Sequence, residues 1–412
     1  MSANKLSGAA FGHGLSRERL KKLGDALGGY VARGEMPGLA ALISRGESVH
    51  VETLGFSSIG GTTPARVKGD TIFRIASLTK PITAVGAMIL VEDCKIRLDD
   101  SIEPWIPELG GRRVLKSISS QLDETVPARR AITVRDVLTY RMGFGSVMAP
   151  ADTHPIQRKI RELQIGGDGP PLPAKGPSTQ QWLNHLASLP WMAQPGERWM
   201  YHVSGDVLGI LIERVSGRPL GDFLRERLFE PLGMKDTAFH VPPSKLSRFS
   251  VSYRFDRAAK KLVVYDDVKN SSWGPRPPFE SGGGGLVGTI EDYFKFCRMM
   301  LNKGRLGRER ILSRASVELM TSDHLKPEHR AGSEMFFGEF SSWGLGMGVD
   351  IARRDVYHSP GRFGWTGGLG TSAYTDPAND LIAMIFTPRM MDSPEPPKVF
   401  TDFFTLAYAA IE

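Results

Sequence analysis

Two cysteines in a chain of 412 residues exclude a disulfide framework, and Cys94 and Cys297 have no metal-like spacing. Both fall in apolar helical patterns, which predicts buried structural thiols kept reduced. Long apolar runs are missing as well. The longest, residues 81–91, falls far short of the roughly 20 residues that a bilayer-spanning helix needs. Residues 1–13 are small and polar, with no apolar core of the kind a secretion signal carries. A cytoplasmic protein without a membrane anchor is the expectation. The 9 histidines are dispersed, and His324 and His329 share a polar loop with no third ligand nearby, so no metal is expected. There is no Gly-x-Ser-x-Gly elbow, which argues against an α/β-hydrolase, and no Walker loop. Gly283, Gly285 and Gly288 do satisfy Gly-x-Gly-x-x-Gly, but a Pro-rich loop precedes them where a dinucleotide site needs a strand. No cofactor is expected.

The composition that is present is globular: 41% hydrophobic and 24% charged residues over this length support two packed regions. Lys+Arg 52 against Asp+Glu 45 leaves a net charge of +7. The basic residues come as scattered pairs, such as Arg112-Arg113 and Lys260-Lys261, and form no stripe that would bind nucleic acid.

Leu15, Leu20, Leu23, Leu27 and Val31 recur at helical spacing, and residues 38–44 and 48–55 read as two strands around a turn at Gly46. From Asp99 to about Glu280, helical stretches at 134–140, 179–189, 205–215 and 220–228 alternate with Pro- and Gly-rich loops. The one strand signal there is a hairpin at 251–265. Strand character returns at 344–350, 362–365, 371–375 and 381–386, before a closing helix at 398–411. This order predicts an α/β chain of the α+β type, with one antiparallel sheet built from both termini, flanked by helices and interrupted by a mainly helical insertion. The predicted division assigns 1–98 and 281–412 to the α/β domain and 99–280 to the helical one. Two long irregular loops, 166–177 and 269–285, are the expected frame of a ligand site.

Ser77-Leu78-Thr79-Lys80 carries the chemistry. Residues 71–75 ahead of it suit an extended approach, and Pro81 suits the first turn of a helix, so Ser77 is predicted near a helix N-terminus. Residues three apart share a helix face, which brings the Lys80 amine within reach of the Ser77 hydroxyl. The free N–H groups of that first turn favour developing negative charge. Serine is a poor nucleophile until a base takes its proton, and a desolvated lysine is a reasonable base. The same tetrapeptide pattern recurs at Ser2 to Lys5, in a polar tail with no apolar helix behind it, as a chance match would.

Tyr201 follows the turn signal Gln194-Pro195-Gly196-Glu197 and precedes a helix near Ser204-Gly205, so its phenol can project from a loop as a second proton carrier. In Gly364-Trp365-Thr366-Gly367-Gly368 the glycines let another backbone come close. The N–H groups of Gly368 and Ser77 can then pair to hold an oxyanion. Taken singly, each segment also reads as structure: a capping serine with a surface lysine, a packed tyrosine, a Gly-rich hairpin turn.

Together and in this order, the segments resemble the serine hydrolases of the β-lactamase and penicillin-binding-protein superfamily, and specifically the family VIII carboxylesterases, which look like class C β-lactamases. The resemblance runs from about residue 17 to the end and includes residues 132–139, Pro231-Leu232-Gly233-Met234 and the Gly run at 281–286. It implies a β-lactamase-like fold, Ser77 as the acylated nucleophile and Lys80 as the lysine of its motif. It further implies Tyr201 as the tyrosine that opens Tyr-x-Asn, and Trp365-Thr366-Gly367 in the place of Lys-Thr-Gly. Val203 stands where that asparagine would bind an amide, and Trp365 where a lysine would hold a carboxylate. Both departures point to a neutral, less polar acyl substrate. His202 is expected on the pocket wall or facing solvent.

The expected activity is hydrolysis of short- to medium-chain carboxylic esters through acyl-Ser77, with weak β-lactam side activity. An acyltransferase would use the same acyl-enzyme and differ only in its acceptor. A β-lactamase or D-amino-acid peptidase is disfavoured by Val203, Trp365 and the missing export signal, and a catalytically silent scaffold by the intact serine, lysine and tyrosine. Which of Lys80 and Tyr201 is the base is a coupled-titration question that the sequence leaves open. The expected partner is a small ester, with no nucleic acid and no membrane; no motif encodes an oligomeric state.

Overall fold

Strand β1 (Gly38–Arg45) is buried along nearly its whole length, because the sheet around it is covered on both faces. Leu39, Ala41 and Ile43 pack with helix α1 (Arg17–Ala32), while Ala40 and Leu42 join the larger core on the other side. This is the period-two alternation of a strand with two buried faces. The computed structural model describes residues 14–59, 65–166 and 172–412. The pattern at Ser2 to Lys5 and the middle of the 166–177 loop lie outside the described residues.

Strand β1 pairs with β2 (Ser48–Gly55) across a turn at Gly46. The C-terminal part supplies β3 (Ser341–Trp343), β4 (Gly348–Asp350), β5 (Phe363–Gly367), β6 (Thr371–Asp376) and β7 (Leu381–Phe386). Their order in the seven-stranded sheet is β3-β4-β5-β6-β7-β1-β2. Every pairing is antiparallel, and Ala41 opposite Ile385 marks the register where the two ends of the chain meet. The expected sheet built from both termini is therefore present.

Helix α2 (Thr79–Glu92) is buried on every side from Thr79 to Leu90, as a helix that is apolar all round must be. Lys80 enters the interior with it and is 1% exposed. Helix α2 packs against α3 (Ser204–Ser216), while α4 (Ile290–Leu301) covers β7 and α5 (Lys398–Ala409) lies beside α1. Short helices at Val134–Leu138 and Thr179–Ala187 agree with the sequence reading, and reciprocal capping by Thr133 with Asp136 and by Ser178 with Gln181 explains where each starts. Residues 251–265 form the expected hairpin, as Ser252–Asp256 paired with Lys261–Asp266.

Three expectations need correction. Residues 344–350 are not one strand. The chain turns there, with Gly346 at φ +82, and a Cβ at Gly346 would come within 2.3 Å of Ala84 Cβ. A second hairpin in the helical region, Arg113–Leu115 with Thr125–Pro127, escaped notice because three residues are too few to show alternation. Cys94 is not buried. Helix α2 ends at Glu92, and Cys94 follows in a left-handed conformation (φ 57) that turns its thiol to solvent. Cys297 is buried as expected, and burial pushes its thiol up to about 12. No helix among the described residues is long and apolar enough to cross a membrane.

Candidate active site

Ser77 stands on one tight helical turn, Ala76–Leu78, that runs into α2. Ala76 holds φ 46, a conformation that side chains disfavour, and neighbouring groups fix this corner. The Thr79 hydroxyl donates to Ala76 O at 2.6 Å, and the Thr371 hydroxyl donates to Ile75 O at 3.0 Å. Gly367 on β5 provides the close backbone approach read from the sequence. A Cβ there would lie 2.4 Å from Ile75 O and 3.3 Å from Ser77 N.

Lys80 Nζ donates to Ser77 Oγ at 2.8 Å and to the Gly283 carbonyl at 2.6 Å. Tyr201 OH donates to the same Ser77 Oγ at 2.9 Å. Two of the three segments picked out in the sequence thus converge on one oxygen, which lies between an amine and a phenol, both side chains of the kind that carry protons, while the third segment packs against the Ser77 backbone through Gly367.

Tyr201 lies where the chain enters α3, its ring packed against Trp199, Phe336 and Trp365 at centroid distances of 5.6, 4.9 and 5.8 Å. Trp365 Nε1–H donates to the phenol oxygen at 2.8 Å, a bond the sequence reading missed because it took Trp365 only as a lost cation. A donor there steadies the negative charge that this oxygen gains when its proton leaves.

Asp206, in the first turn of α3, is the other residue the sequence reading missed. Its Oδ1 accepts the Ser281 hydroxyl at 2.5 Å and the Gly283 N–H at 3.1 Å. Burial raises its carboxyl, against the opposing pull of Ser281, Gly283 and the Lys80 ammonium. The Gly run beside it is packed most tightly at Gly282, where a Cβ would lie 2.5 Å from Gly205 O. Held between α3 and the Thr83 hydroxyl, which donates to Gly282 O at 2.9 Å, this run presents the Gly283 carbonyl to Lys80. The only sequence signal was an acid among apolar residues at a helix start, which also reads as a dipole-matched surface charge.

The remaining sequence-predicted residues separate. His202 lines the cavity, and burial, then the Lys80 charge, push its imidazole down to about 3, so it is neutral at physiological pH. Gly368 faces the cavity, whereas Gly367 is buried behind it. Val203 does not line the cavity. It is 1% exposed and belongs to the core, since the start of α3 turns its side chain inward.

A cavity of about 930 Å³ opens over Ser77. As expected, the loops 166–177 and 269–285 contribute to its wall, through Leu172, Pro173 and Phe279 among others. Met335, Phe336, Met390 and Met391, from two segments the sequence did not single out, also line it. Among the described residues no three His, Cys, Asp or Glu side chains are grouped to hold a metal.

A family model described as Beta-lactamase matches residues 23–400. Among curated proteins, an uncharacterized protein of Mycobacterium tuberculosis is 36% identical over 347 residues, 82% of each chain. The lovastatin esterase of Penicillium rubens is 30% identical over 332 residues, 76% of this chain and 78% of that one. Among solved structures, EstCE1, a hydrolase with promiscuous acyltransferase activity, aligns with a TM-score of 0.78 at 22% identity, covering 95% of this chain and 99% of its own. The fold is β-lactamase-like.

Proposed function

The chain belongs to the beta-lactamase family, within the serine hydrolases of the β-lactamase and penicillin-binding-protein superfamily, and from that premise we propose that it is a serine carboxylesterase acting on short- to medium-chain esters through acyl-Ser77. The observation that carries this reading is the pair of hydrogen bonds on Ser77 Oγ, from Lys80 at 2.8 Å and Tyr201 at 2.9 Å.

Lys80 and Tyr201 together take the Ser77 proton as Oγ attacks the ester carbonyl carbon. The N–H groups of Ser77 and Gly368 hold the oxyanion. Tyr201 protonates the alcohol oxygen as the C–O bond breaks, which leaves acyl-Ser77. Water then attacks the acyl carbon, gives its proton to the same pair, and the acid departs as Ser77 regains its own. Trp365, in the place of a lysine, offers an indole donor to Tyr201 and no cation to a substrate carboxylate, which supports neutral esters over β-lactams or peptides. Weak β-lactam turnover remains part of the proposal.

Acyl transfer to an alcohol is a second reading, favoured by one observation: the cavity of about 930 Å³ has room for an acceptor beside an acyl group. The proposal also includes the two-domain division at 98/99 and 280/281 and a cytoplasmic location, in keeping with two unpaired cysteines. The test is kcat/KM for p-nitrophenyl butyrate against a chromogenic cephalosporin. The ester should lead by several orders of magnitude, and Trp365→Lys should narrow the gap. Equal efficiency on both in the wild type would favour the β-lactamase reading.

A further inference from the structure

Seven large hydrophobic side chains are exposed among the described residues, and three of them, Met148, Leu172 and Met335, line the cavity over Ser77. The other four lie elsewhere on the surface. Concentrated exposure of this kind marks a ligand groove better than scattered exposure does. Phe336, Met390 and Met391 line the same cavity, and unbranched methionines adapt to irregular apolar shapes. The acids on the wall are already engaged, Asp206 by Ser281 and Asp392 by Arg389 at 2.6 Å. A cavity of about 930 Å³ is at the upper end of what a drug-sized ligand fills, far more than a butanoyl group needs.

The side of the reaction centre follows from the chemistry. Tyr201 returns its proton to the leaving oxygen, so the alcohol departs past the phenol. Phe336 packs on that ring at 4.9 Å, with exposed Met335 beside it in the chain. Resting on the esterase reading above, we propose that the alcohol portion of the substrate is a bulky apolar body, seated against the methionine-rich wall formed by Met335, Phe336 and their neighbours.

The test uses a matched pair, phenyl butanoate and 4-(1-adamantyl)phenyl butanoate, which differ by a large hydrocarbon and hardly at all in the acidity of the phenol. The full-length enzyme should show kcat/KM about tenfold or more higher for the adamantyl ester, as expected for apolar surface leaving water. Met335→Ser and Met148→Ser should each shrink that ratio. Val356→Ser, which removes a still more exposed apolar side chain away from the cavity, should leave the ratio unchanged. A wild-type ratio at or below one, or a ratio indifferent to both methionine variants, overturns the proposal while leaving the esterase reading standing. Failure to cleave either ester, with no fluorophosphonate labelling of Ser77, would sink the esterase reading itself and this proposal with it.

Discussion

The indole of Trp365 donates a 2.8 Å hydrogen bond to the hydroxyl of Tyr201, and that hydroxyl in turn lies 2.9 Å from Ser77 Oγ. The aromatic side chain that stands where the family resemblance expects a lysine is thus bonded to the proposed proton carrier, which under the esterase proposal gives it a chemical duty apart from shaping the pocket.

Trp365→Phe keeps most of the ring and removes the donor. A hydrogen bond to an oxygen that gains charge in the transition state contributes about 1–3 kcal/mol, so kcat on p-nitrophenyl butyrate should fall roughly tenfold to a hundredfold with KM little changed. Steady-state kinetics with a circular-dichroism check of folding decide it. An unchanged kcat would mean the bond does not act on the chemistry.

Asp206→Asn tests the charge beneath Lys80. The groups that face this amine are Ser77, Tyr201, neutral His202 and, through Gly283, Asp206. Asparagine can still accept from Ser281 and Gly283, but a carboxamide oxygen holds them less firmly than a carboxylate does. The Gly283 carbonyl is then less fixed against Lys80, so kcat on p-nitrophenyl butyrate should fall by about tenfold with KM little changed. An unchanged kcat with only a lowered Tm would assign Asp206 a purely structural part.

His202 sets an acid-side limit on stability. Its imidazole is held down at about 3 in the folded protein, against an ordinary 6.5. As pH falls below 6.5 the unfolded chain gains a proton that the folded one refuses, so stability drops. The loss amounts to up to about 2 kcal/mol between pH 6.5 and 5. His202→Gln should remove this component, so that its Tm falls less than the wild type's over that interval. Parallel curves of Tm against pH would contradict the assignment.

What the sequence revealed, and what it hid, has a physical pattern. Strands β1 and β7 and helix α2 were legible because burial on all sides demands long apolar runs with turn residues at their ends. Ser77 and Lys80 were legible as a pair because their spacing is local, and Tyr201 because a turn signal and a helix start frame it and the family resemblance pairs it with them. Asp206 and the Trp365–Tyr201 bond were not, since each acquires its meaning from a partner more than seventy residues away in the chain. Val203 shows the opposite error. Its motif position suggested a substrate contact, but the side chain points into the core, a fact of backbone direction that no spacing encodes. Cys94 was misread because the apolar pattern ahead of it gave no sign of the left-handed turn that ends the helix.

The account stands most directly on covalent chemistry at one atom, and intact-mass spectrometry after exposure to a fluorophosphonate measures it. The wild type should gain the mass of a single phosphonyl group, mapped by peptide digestion to Ser77, and Ser77→Ala should gain none while keeping its fold. Labelling that persists in Ser77→Ala, or a wild type that stays unlabelled, would contradict the assignment of Ser77 as the nucleophile.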